Sequence, residues 1–214
     1  MKRNFIVVEG PIGVGKTTLA KKLAESYGSE LLLEGADENP FLEQFYQAPE
    51  QAAFQTQLFF LFQRAKQLQE IRQTDLFQPV RVADFIMEKD RLFAQVTLSN
   101  EEYKLYEQVY EHVTIDAPVP DLVVYLQAPV DVLQKRVNKR DRNYERQLSM
   151  KYLERLVDKY TDFFYNYTEA PLLIVNAAEI NFAENDKDYN LLLEQINRVT
   201  SGRHYFNPTP ALAL

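Results

Sequence analysis

The stretch GPIGVGKT, from Gly10 to Thr17, fits the pattern G-x-x-x-x-G-K-[ST]. Its glycines permit the tight curvature that points backbone N–H groups inward. Lys16 offers a point charge to terminal phosphates, and Thr17 offers a hydroxyl to Mg²⁺. The phosphate-facing set is Gly10, Gly13, Val14, Gly15, Lys16, Thr17 and Thr18. This chemistry holds a nucleoside triphosphate and leaves open what receives its phosphoryl group.

Three carboxylates, Glu9, Glu34 and Asp84, close apolar runs in the sequence. A charged residue ending ELLLE must face a polar cleft, where it can accept the proton of an incoming hydroxyl. A solvated Glu at a strand end would read the same way. Asp84, after PVRVA, suits Mg²⁺ held through water, as in an ATPase or a switch GTPase. A guanine-reading N-K-x-D matches by letters at Asn138 to Asp141, but inside a charged helix rather than after a strand. Gln57 and Arg64 are seven residues apart and so share a face of a Phe- and Leu-rich helix. Ordinary surface exposure accounts for them equally well. Arg136, Arg140 and Arg142 crowd a segment that is either a solvated helix end or a set of phosphate clamps.

The elements that must position these residues alternate in type. NFIVVEG, ELLLEG, PVRVADF, DLVVYLQAP and PLLIVNA read as five strands. Helical patterns lie between them, at 16–27, 51–73, 151–167 and 190–199, with a capping box at Ser99 and Glu102. Alternation of this kind specifies a parallel five-stranded sheet with helices on both faces. Ligands then sit outside the carboxyl ends of the strands, where the three carboxylates stand. Residues 1–200 read as one domain. Residues 201–214, with two prolines and no periodicity, read as a loosely held tail.

The 214 residues carry 31 acidic and 24 basic side chains, a net charge of -7 that argues against nucleic acid as a partner. Without cysteines there is no disulfide or thiolate metal site, and two histidines make a His-based zinc site a poor fit. The run Phe5 to Val8 is too short to span a membrane, so a cytoplasmic protein without a membrane partner is expected.

Four ordered stretches, EGADENPFLEQFY, AAFQTQLFFLFQRAKQL, VADFIMEKDRLFA and KRVNKRDRNYERQ, resemble the deoxynucleoside kinase family, most closely its bacterial deoxyguanosine and deoxyadenosine kinase branch. The resemblance implies a P-loop fold with an arginine-rich lid, and a homodimer that uses ATP, Mg²⁺ and a deoxynucleoside. It makes Glu34 the base toward the 5′-hydroxyl and sets Tyr46 against the sugar. Gln57, Arg64 and Asp90 then read the nucleobase, and Asp84 stands at the nucleoside and the metal with Thr17. Arg136, Arg140 and the catalytic Arg142 clamp phosphate with Lys16, and Glu145 reaches the sugar from the lid. The implied dimer suggests an apolar interface from the helices near 54–68 and 103–110, which could instead pack on the sheet. One departure stands out. Many members carry an Arg after the acidic residue ending strand three, and this chain carries Phe85. The cation must then come from elsewhere, with Arg142 and Lys89 available, and the aromatic ring is either a tolerated variant or core filler.

Two rival readings remain. A nucleoside monophosphate kinase needs an additional cationic site, which Gly35-Ala36-Asp37-Glu38-Asn39-Pro40 does not offer. A nucleotide-gated binding protein would leave Gln57, Arg64 and Asp90 on the surface.

Overall fold

The computed structural model describes residues 4–73, 80–113, 117–140 and 148–208. Six strands form one sheet: β1 (Phe5–Glu9), β2 (Glu30–Leu32), β3 (Arg81–Ala83), β4 (Leu122–Gln127), β5 (Leu172–Asn176) and β6 (Arg203–Phe206). Their spatial order is β2-β3-β1-β4-β5-β6 and every pairing is parallel. The helices are α1 (Lys16–Tyr27), α2 (Leu42–Gln47), α3 (Pro49–Gln73), α4 (Lys89–Thr97), α5 (Asn100–Val113), α6 (Val130–Arg140), α7 (Met150–Asn166) and α8 (Asp186–Arg198).

The sheet has six strands rather than the expected five. The sixth comes from the segment expected to be a loose tail. It carries no apolar alternation because it is an edge strand with only its ends half-buried. Backbone pairing from Leu172↔Arg203 to Val175↔Phe206 holds it, and Arg203 donates to the carbonyls of Phe164, Tyr165 and Tyr167 at the end of α7. Carbonyls at a helix end lack their full set of intrahelical partners, and Arg203 supplies donors. Residues 209–214 lie outside the described part.

Both faces of the sheet are buried, and side chains alternate between them. Ile6, Val8, Val124 and Val175 pack under α1, α6 and α8 with Leu19, Leu133 and Leu192. Phe5, Val7, Tyr125 and Ile174 pack under α3, α4, α5 and α7 with Leu61, Leu92, Tyr106 and Phe164. Continuous burial along β1 and β4 is why their sequences read as apolar runs. The capping box forms as expected, since Ser99 Oγ accepts from the Glu102 N–H and Glu102 accepts from the Ser99 N–H. The helix α4 is not among the expected elements; its Lys89-Asp90 start hid the pattern. Strands β2 and β3 lie on one side of β1 and β4 to β6 on the other, and this switch in strand order opens a crevice at the carboxyl ends of β1, β3 and β4.

Candidate active site

The phosphate loop leaves β1 and opens α1 at its N-cap, Gly15, which has φ 109° and no side-chain cap. The first N–H groups of the helix are therefore directed at the crevice. Gly10 has φ 148°, and a Cβ there would lie 2.2 Å from the Leu126 carbonyl oxygen, so only glycine fits. Gly13 and Val14 are buried, and Thr18 is exposed at the cavity rim. Lys16 Nζ donates to the carbonyls of Gly10 and Pro11, at 2.7 and 3.2 Å. Burial pushes the Lys16 ammonium down to about 7, and the positive charge of Lys89 adds to the effect.

Asp84, one residue past β3, ties this loop to the second strand. Its Oδ2 accepts from Thr17 Oγ1 at 2.5 Å and its Oδ1 accepts from the Glu34 N–H at 2.9 Å. A hydroxyl and a carboxylate side by side are hard oxygen donors of the kind Mg²⁺ takes. No cluster of three or more His, Cys, Asp or Glu stands together among the described residues. The other ligands of an ion at this point would have to be phosphate oxygens and water.

Opposite the loop lies Glu34. Its two oxygens meet two cations: Arg64 Nη2 on one, and Lys89 Nζ at 2.6 Å on the other. The same Arg64 guanidinium contacts Asp90 through Nη1, so one fork joins two carboxylates. Arg64 and Asp90 are 2% and 0% exposed. Arg64 also lies over the Phe60 ring, 5.1 Å from its centre. Burial raises the Asp90 carboxyl, while the Arg64 and Lys89 charges work against that rise.

Between loop and carboxylate is a cavity of about 520 Å³. Lys16, Thr17, Glu34, Tyr46, Gln57, Arg64, Asp84, Lys89 and Arg140 all line it, with Leu42, Phe45, Phe60 and Phe93 as apolar walls. Gln57 is buried rather than on the surface. Thr56 Oγ1, Tyr152 Oη and Arg64 Nε are buried without a hydrogen-bond partner among the described residues, so this part of the wall suits a polar ligand.

Not every expected site residue reaches the cavity. Arg136 instead donates to the carbonyls of Val14 and Ala177, at 3.2 and 2.7 Å, and braces the phosphate loop from behind. Asp90 stands behind Arg64 rather than on the wall. Glu9 is fully buried on the α7 side, accepting from the Gly10 and Ile86 N–H groups and from the Tyr160 hydroxyl. Arg142 and Glu145 lie outside the described residues. Phe85 is 0% exposed and packs in the core among Val7, Met87 and Tyr125, so it is core filler. Lys89 and Tyr152 also line the cavity; the sequence points to Lys89 only as a cation available in place of Phe85, and to Tyr152 not at all. Lys89 sits next to Asp90, but nothing in the order of residues says that both are buried.

The deoxynucleoside kinase family model matches residues 6–201. Deoxyguanosine kinase of Bacillus subtilis is 34% identical over 203 residues, covering 91% of this chain and 97% of that protein. Deoxyadenosine kinase of Lactobacillus acidophilus is 30% identical over 206 residues, covering 90% and 94%. Among solved structures, deoxyadenosine kinase from M. mycoides with bound dATP superposes with a TM-score of 0.78 at 25% identity, over 91% of this chain and 99% of that one.

Proposed function

The chain belongs to the deoxynucleoside kinase family, and from that premise we propose that it phosphorylates the 5′-hydroxyl of a purine deoxynucleoside, deoxyguanosine or deoxyadenosine, with ATP as donor. The observation that carries this reading is Glu34. It faces Lys16 and Thr17 across one cavity, and Arg64 and Lys89 hold its carboxylate there.

In the transfer, the 5′-oxygen attacks the γ-phosphorus. A new P–O bond forms, the bond to the bridging oxygen breaks, and its electron pair leaves with ADP. Glu34 takes the hydroxyl proton and fixes the line of attack. Lys16 and the α1 N-terminus bind the donor phosphates. Thr17 and Asp84 would hold Mg²⁺, which supplies neutralisation of phosphate charge when bound. Arg140, on the cavity wall, adds a cation at the transferring group, the role that the family resemblance also gives to Arg142. Tyr46 meets the sugar. Gln57 and Arg64, the latter backed by Asp90, offer donors and an acceptor to the base in a cavity with Phe60 and Phe93 on its walls.

A monophosphate acceptor fits less well, because the Arg64 guanidinium is already shared between Glu34 and Asp90. The enzyme works in the cytoplasm, where its substrates are, as a homodimer. Phe62 on α3 and Leu105 on α5 are 53% and 51% exposed and give the dimer an apolar surface; light scattering checks the mass.

The test measures ADP release from Mg-ATP with deoxynucleosides, ribonucleosides and monophosphates. Deoxyguanosine or deoxyadenosine should drive turnover. Turnover with monophosphates alone, or none that depends on an acceptor, refutes the reading. Glu34→Gln should lower kcat by about 10²–10⁴-fold and leave ATP binding intact.

A further inference from the structure

We propose that Lys89 is a catalytic residue, the cation at the point of transfer that Phe85 does not supply; this rests on the kinase reading above. Phe85 is sealed in the core, and its ring does not reach the cavity. Lys89 does. It stands in the first turn of α4, 3% exposed, with Nζ 2.6 Å from Glu34 Oε2. It lines the same cavity as Lys16 and Thr17. Its charge is felt at Lys16, so the two ammonium groups stand near each other at the cavity.

An ammonium has three donors. One goes to Glu34, and two remain for oxygens that arrive with substrate. The 5′-oxygen and the γ-phosphoryl oxygens meet beside Glu34, so those donors fall where negative charge develops. Lys89 keeps its proton throughout, while the hydroxyl proton passes to Glu34.

The charged groups that act on Lys89 are Glu34 after β2, Glu9 at the end of β1, Asp84 after β3, Arg64 on α3, Asp90 on α4 and Lys16 on α1. Burial pushes Lys89 down to about 8; Glu9, Asp84 and Asp90 oppose the shift and Arg64 adds to it. The charge therefore fades as pH rises through the working range of the assay. Arginine stays charged there.

The experiment compares wild type, Lys89→Met and Lys89→Arg at saturating ATP across pH 6–10. Lys89→Met should lose about 10²–10³-fold in kcat, the scale of one transition-state donor, with KM for ATP little changed. Wild-type kcat/KM for the deoxynucleoside should fall above about pH 8, and in Lys89→Arg the fall should move up by about one pH unit or more. A purely structural lysine would lower stability in both variants without moving the pH profile. An active Lys89→Met, or a Lys89→Arg profile superposing on wild type, overturns the assignment. If Lys89→Met does not fold, the Lys89→Arg profile decides. Wild type without acceptor-dependent turnover overturns the parent reading and this one together, whereas an active wild type with an indifferent Lys89→Met sinks only Lys89.

Discussion

Lys16 donates to the Gly10 and Pro11 carbonyls, so its ammonium is held by the loop that must bind phosphate. Burial and the charge of Lys89 push it to about 7. A triphosphate favours the protonated form. Below about pH 7 the ammonium is already charged, and above it binding must bring a proton in. We expect ATP binding at pH 8 to take up close to one proton, and affinity to decline as pH rises from 7 to 9. Calorimetry in buffers of different ionisation enthalpy counts the proton; a count of zero at pH 8 would mean a lysine that is fully charged beforehand. Arg64 shows a different limit at this scale. The family resemblance makes it a base-reading residue beside Asp90. The structure adds Glu34 to the same guanidinium, so one side chain joins two carboxylates. A residue's neighbours across 30 positions are not encoded in its own spacing.

At the scale of elements, strand parity decides what the end residues do. Phe5, Val7 and Glu9 share one face of β1, because side chains alternate with period two. That face lies under α7, so Glu9 is buried with Tyr160 and not turned to the phosphates. It ties the start of the loop, the chain after β3 and α7 into one unit through three hydrogen bonds. Tyr160→Phe keeps the ring stacked on Tyr125 but removes one of the three donors. It should cost about 1–3 kcal/mol, read by urea unfolding, because a buried carboxylate then lacks a partner. An unchanged midpoint would show that the hydroxyl contributes nothing. Element types were legible for the long, periodic segments. The length of β2 was not: its ladder stops at Leu32, and the Glu34 backbone bonds to the Asp84 side chain instead.

For the whole molecule, closure of the sheet depends on the last described residues. Arg203 joins β6 to the end of α7 through three carbonyls. Arg203→Ala should cost about 1–2 kcal/mol and raise amide exchange along 203–206, with kcat unchanged. Exchange as slow as in wild type would show that backbone pairing alone holds the strand. Charge is also arranged at this scale. The chain carries -7 overall, yet Lys16, Lys21, Arg64, Lys89 and Arg140 converge on one cavity. Field focusing in a cleft of this kind draws in anionic ATP despite the net charge.

What the order of residues determined was whatever depends on local pattern: the phosphate loop, the run of parallel strands, the capping box, and the helix face shared by Gln57 and Arg64. These follow from spacing alone, since glycine torsions and the periods of strand and helix act over a few residues. Only the tertiary structure decided which carboxylate shares a cavity with Lys16, which cations stand at that carboxylate, and whether the segment after Ser201 joins the sheet. Those outcomes turn on burial and on partners tens of residues away: Glu9 and Tyr160 are 151 positions apart, and Glu34 and Lys89 are 55. The free energy of a buried charge is set by what surrounds it in space, and that is settled only when the elements pack.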